Sequence, residues 1–139
     1  MTFQKITIQT SVLSDLQKAW NCYTQPEHIT QWNFAHESWC CPSAENDLRV
    51  GGIMKSRMEA KDGSFGFDFE GKYSVVEDLK RLVYGLEDGR QVDIKFEDNG
   101  NRVNVTIVFD AEGENPIEMQ RDGWQAILDN YKKHTEGLG

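Results

Sequence analysis

Five successive runs between residues 54 and 109 place apolar and polar side chains on alternate positions, and this pattern constrains the fold more than any single motif in the chain. Met54, Ser56, Met58 and Ala60 share one parity against Lys55, Arg57 and Glu59, and Phe65, Phe67, Phe69, Tyr73 and Val75 share the next against Asp68, Glu70 and Lys72. Leu82, Tyr84 and Leu86 form a third run and Val92, Ile94 and Phe96 a fourth. In the fifth, Val103, Val105, Ile107 and Phe109 alternate with Arg102, Asn104 and Thr106. A period of two belongs to a strand with one wet and one buried face. The links carry Asp62-Gly63, Asp88-Gly89 and Asn99-Gly100, which suit tight turns. They are too short for a parallel crossover, so an antiparallel meander with an aromatic inner face is expected.

An apolar face of that size needs a cover. Trp124, Ile127, Leu128 and Tyr131 recur at the spacing of one helical stripe, so a C-terminal helix over 116–134 is expected to lie across the sheet. Asn115 is expected to cap it, with Pro116 in the first turn and Glu118 reaching back, and residues 137–139 are expected to fray. Upstream, residues 3–10 read as an edge strand. Ser14 reads as the cap of a helix bearing Leu13, Leu16, Trp20 and Tyr23, and Pro26 as the opening of a short helix bearing Ile29 and Trp32. The irregular segment 34–49 reads as a short strand followed by a polar loop from Ser43 to Asp47.

The 139 residues suit one domain with one core, taken as residues 1–139. A formal net charge of −8 repels a phosphate backbone, so nucleic acid is not an expected partner. No leader is read at the N-terminus, and no apolar stretch is long enough for membrane insertion. Three cysteines, Cys22, Cys40 and Cys41, cannot all pair within the chain, and reduced thiols in a cytoplasmic protein are expected.

Asp47-Leu48-Arg49-Val50-Gly51-Gly52, Asp62-Gly63, Phe69-Glu70-Gly71-Lys72-Tyr73, Asp88-Gly89-Arg90, Val105-Thr106 and Gly123-Trp124, with Leu128 four residues on, add family-specific detail. With the order strand, two short helices, meander and long helix, they resemble the SRPBCC branch of the START-like superfamily. Within it the chain is most similar to the family named after the C-terminal domain of the activator of heat-shock protein 90 ATPase. The resemblance runs from Ile6 to about Lys133 and implies an α+β helix-grip fold, START-like or Bet v 1-like: a curved antiparallel sheet wrapped around the last helix, with a cavity between them. It implies no particular reaction. The superfamily includes lipid carriers, hormone receptors, aromatic-ring cyclases and co-chaperone domains.

The expected ligand is therefore an apolar or lipid-like small molecule, held by Trp32, Trp39, Met54, Met58, Phe67, Phe69, Tyr73, Tyr84, Phe96, Trp124 and Leu128. Gly71 on the inner face and Gly123 inside the helix support an unfilled space, because an interior glycine costs about 1 kcal/mol against alanine and marks close contact or a bend. Ser56, Tyr73 and Tyr84 are the hydroxyls placed to orient a ligand. His28, His36, Cys40 and Cys41 offer soft ligands at a spacing that does not suit a metal, since neighbouring cysteines on a strand face opposite ways. Covalent catalysis by Cys40 or Cys41 with His36 lacks an oxyanion site, and the acidic pair Asp68 and Glu70 reads as wet surface. Arg49 and Arg90 read as turn residues paired with a neighbouring aspartate. No catalytic residue, cofactor or metal is assigned. A chaperone partner is the alternative reading, and an enzyme acting on aromatic or polyketide-like substrates is a weaker one. The chain is expected to be a monomer or a homodimer.

Overall fold

The computed structural model describes residues 3–138. In chain order it contains β1 (Lys5–Leu13), α1 (Leu16–Thr24), α2 (Pro26–Trp32), β2 (Trp39–Asn46), β3 (Ile53–Ala60), β4 (Gly66–Glu77), β5 (Arg81–Gly85), β6 (Gln91–Asp98), β7 (Arg102–Asp110) and α3 (Ile117–Gly137). The strands form one seven-stranded sheet in the order β1-β7-β6-β5-β4-β3-β2, antiparallel throughout. The meander is therefore continuous from β2 to β7, and β1 closes the far edge on β7. The sheet curls into a half-barrel and grips α3, which is the helix-grip, START-like arrangement. Among the described residues, no helix is long and apolar enough to cross a membrane.

Register follows from the alternation. Ile6 pairs with Phe109, Ile8 with Ile107 and Val12 with Val103, and all six side chains are buried on the concave face. At the turns, Asp62 accepts from the amide of Ser64 at 2.8 Å and Asp98 from that of Gly100 at 3.0 Å. Gly63 and Gly100 take φ of +79° and +87°, which explains the Asp-Gly and Asn-Gly pairs.

Several local expectations need correction. Helix α1 is capped by Asp15, whose carboxylate accepts from the amide of Lys18 at 2.7 Å, while the Ser14 hydroxyl turns to the Asp15 carbonyl. Pro116 is the extended residue ahead of α3, and Asn115 does not cap the helix, because its amide donates to Glu112 at 3.0 Å. Buried Gln120 secures this end instead, donating to the carbonyls of Asn115 and Glu112 and accepting from the amide of Glu112. The helix then passes His134 and continues to Gly137; Gly139 lies outside the described residues. The stretch expected to form a loop from Ser43 onward belongs largely to β2, whose register shifts between Cys40 and Ser43. Phe65 precedes β4 and is 60 % exposed. In β4, Tyr73 pairs with Tyr84 but Val75 with Val83, so one strand advances two residues for one on its partner. This bulge at Ser74 reverses the parity, and Val76, not Val75, packs on the core.

On α3, Leu128, Tyr131 and Thr135 are buried, and Trp124 and Ile127 are half-buried. The Tyr131 hydroxyl donates to the Ala19 carbonyl at 2.6 Å, tying α3 to α1. Burying Leu128 alone contributes about 2 kcal/mol.

Candidate functional site

Between the N-terminal half of α3 and the sheet lies a cleft of about 470 Å³. Its floor takes inward positions of five strands: Met54, Ser56 and Met58 of β3, Phe67, Phe69 and Tyr73 of β4, Tyr84 of β5, Ile94 of β6 and Ile107 of β7. Gly123, Trp124, Ile127 and Leu128 of α3 form the roof, and Tyr23, Ile29 and Trp32 of the short helices close one end. Phe67 and Met119, 42 % and 60 % exposed, stand at the mouth.

Edge-to-face contacts link the rings across the cleft, from Tyr73 to Tyr84 (6.1 Å), Tyr84 to Phe69 (6.2 Å) and Phe69 to Trp124 (6.1 Å). Trp124 then stacks on Phe109, with centroids 4.0 Å apart and planes 11° from parallel. The two interior glycines serve different ends. A Cβ at Gly71 would collide with the Tyr84 ring, so the strand needs glycine there to seat that ring. A Cβ at Gly123 would meet nothing within 4 Å, because Gly123 faces the open cleft.

Few polar groups enter. Tyr73 donates to Asn46 Oδ1 at 2.7 Å, and Asn46 Nδ2 donates to the Thr24 carbonyl at 2.7 Å. Burial pushes the Tyr73 phenol up to about 12 and raises that of Tyr84 well above its ordinary value, so both stay neutral donors. Arg90, Glu112 and Asn115 lie at the end of the sheet where β6 begins and β7 stops. Arg90 pairs with Asp88 at 2.7 Å and Arg49 with Asp47 at 2.9 Å.

Of the expected ligand-contacting residues, Trp32, Met54, Met58, Phe67, Phe69, Tyr73, Tyr84, Trp124 and Leu128 border the cleft. Phe96 does not. It has the right parity, but α1 covers that part of the sheet, and Trp20 and Tyr23 pack on its ring at 5.0 and 5.5 Å. Trp39 lies near the opposite edge, against Phe65 and Phe67 at 6.0 and 6.1 Å. Sequence reasoning missed Tyr23, Ile94 and Ile107 as lining residues, although the same helical and strand periods marked them as inward. It also missed Asn46, which sits in a polar stretch read as loop, and Arg90.

The soft-ligand group divides. His36 hydrogen-bonds Ser38 at 2.8 Å on an exposed segment, and among the described residues it joins no donor cluster with Cys40 and Cys41. Cys41 is buried, and burial raises its thiol while Ser56 and Asn33 beside it oppose the shift, which leaves a poor nucleophile. His28 instead meets His134 and Cys22. Burial, then the neighbouring His28, lowers the pKa of His134. Asp68 faces solvent beside Lys55 and Arg57.

The family model described as Activator of Hsp90 ATPase homolog 1-like protein matches residues 14–136. No protein with a curated description matches the chain. Among solved structures, the AHSA1-like protein from Aeromonas hydrophila is 38 % identical with a TM-score of 0.91, over 98 % of this chain and 94 % of that one. A protein from Cytophaga hutchinsonii is 42 % identical with a TM-score of 0.83, over 96 % and 93 % of the two chains. A protein from Nitrosomonas europaea, 17 % identical with a TM-score of 0.84 over 97 % and 96 %, shares the fold. The chain thus belongs to the family of the activator of Hsp90 ATPase homolog 1-like proteins, as its sheet, its gripping helix and a match over 14–136 all require.

Proposed function

We propose that the cleft between α3 and the curled sheet binds an apolar or lipid-like small molecule, with residues 1–139 acting as one START-like domain in the cytoplasm. The observation that carries this reading is the cleft itself: about 470 Å³ walled mostly by aromatic, aliphatic and thioether side chains, with Glu45, Asn46, Arg90 and Glu112 among its lining, a volume within the usual range for small-molecule sites. The open face at Gly123 supports it, because a helix serving only to seal a core has no need of that residue. The Tyr73–Asn46 pair supplies polar recognition at one point. Phenols with raised pKa values are poor proton donors near neutrality, so the site suits binding better than acid–base turnover.

The test is a panel of fatty acids, flavonoids and polyketides, read by thermal shift and by tryptophan fluorescence, to which Trp32 and Trp124 contribute from the cleft wall. A binder should raise the melting midpoint and alter the emission, and Gly123→Leu, which fills the cleft, should abolish both. If no member of the panel has either effect, the reading fails.

A second reading, a chaperone-interaction domain, draws on the family description and on exposed Phe65 and Phe67, which pack against half-buried Trp39. Retention of purified Hsp90 by the immobilised chain, lost in Phe65→Ser, would favour it; no retention would count against it.

A further inference from the structure

Away from the cleft, three helices bring one thiol and two imidazoles together. Cys22 of α1, His28 of α2 and His134 in the last turns of α3 each present a donor atom, all within 4.8 Å of one another. His28 Nδ1 and His134 Nε2 are 2.9 Å apart, with the rings crossing at 61°. Cys22 and His28 are close in sequence, but His134 lies 106 residues beyond His28, so the packing of α3 against the helical pair completes this group.

Three observations point to a ligand. The donors form a borderline-soft set, one sulfur and two nitrogens, of the kind zinc and its neighbours take. Their spacing is close to what such an ion needs: Zn–N of about 2.0–2.1 Å and Zn–S of about 2.3 Å in a tetrahedron set donor atoms roughly 3.3–3.6 Å apart. The imidazoles have to part by a few tenths of an ångström and the thiol to approach by roughly an ångström at most, both within side-chain adjustment. The frame is also rigid, because Trp32 Nε1 donates to the Cys22 carbonyl at 2.8 Å and joins α2 to α1. Tyr131, one turn before His134, donates to Ala19 and joins α3 to α1.

We propose that Cys22, His28 and His134 form a site for a zinc-like divalent ion, bound by one thiolate sulfur and two imidazole nitrogens. Cys22 is 1 % exposed and the two histidines are half-buried, and a water molecule is expected to complete the tetrahedron. Binding forms the metal–sulfur bond as the thiol proton leaves to solvent, and the ion pins the C-terminal end of α3 to α1 and α2.

The experiment is a titration of the full, reduced chain with zinc alone and with cobalt(II) alone. One equivalent should bind and raise the melting midpoint, and cobalt should give tetrahedral d–d bands with a thiolate charge-transfer band. His28→Gln and His134→Gln, both at half-buried positions, should fold normally and weaken binding by more than about 100-fold, since loss of even an outer partner costs roughly 10–100-fold. Cys22→Ser should remove the charge-transfer band, and the Cys40→Ser/Cys41→Ser double variant should retain it. Failure to bind one equivalent overturns the proposal. So does binding that survives both histidine changes. Should Cys22→Ser fail to fold, the histidine variants decide alone.

Discussion

The hydroxyl of Tyr73 in β4 donates to Oδ1 of Asn46 at the end of β2, 2.7 Å away, and the same amide donates to the Thr24 carbonyl at the end of α1. One side chain thus joins the cleft wall to the short helices. Tyr73→Phe should lower unfolding free energy by about 1 kcal/mol and Asn46→Ala by more, since it also leaves Thr24 unpaired. A double-mutant cycle in urea should show the two changes to be non-additive. Strict additivity would mean that the bond contributes nothing.

The two interior glycines should respond in opposite directions. Gly71→Ala forces the Tyr84 ring aside and should cost about 1–3 kcal/mol while reshaping the cleft. Gly123→Ala adds a methyl group to open space on a helix and should gain about 0.4–1 kcal/mol. Chemical denaturation of both variants checks this, and a destabilised Gly123→Ala would contradict the open face.

All four tyrosines have raised pKa values from burial, Tyr73 to about 12 and Tyr23, Tyr84 and Tyr131 in the same direction. In the unfolded chain the phenols ionise near 10. Their folded values are higher, so the associated stability is complete below about pH 10 and is lost as pH rises from there towards the folded values. Phenolate absorbance should therefore appear together with cooperative unfolding. Phenolate titrating near 10 in a chain that is still folded would refute the burial.

Phe65 and Phe96 both fall on positions that the alternation reads as inward, yet they differ in burial, 60 % against 7 % exposed. Phe65→Ser should stay within about 0.5 kcal/mol of the parent. Phe96→Ala, which empties the space under Trp20 and Tyr23, should cost about 3–5 kcal/mol. Equal effects would mean that the assignment of one to the surface and the other to the core is wrong.

Much of the fold is written in local periods. Alternation in residues 54–109, the turn dipeptides and the stripe from Trp124 to Tyr131 determine an antiparallel meander covered by a helix, because each reports only which side of an element avoids water. What such periods cannot report is which neighbour covers an inward face. Phe96 and Ile94 look alike in sequence, but α1 lies over the first while the second opens on the cleft. Val75 and Val76 exchange roles because a bulge inserts one residue. Asn46 had no local signal, since its partners lie 27 and 22 residues away, and Cys22 and His28 meet His134 only across more than 100 residues. The sequence by itself determined the elements and their faces. The packing of α3 against both the sheet and the helical pair decided where space was left and which side chains met, because those depend on contacts between segments that no local period encodes.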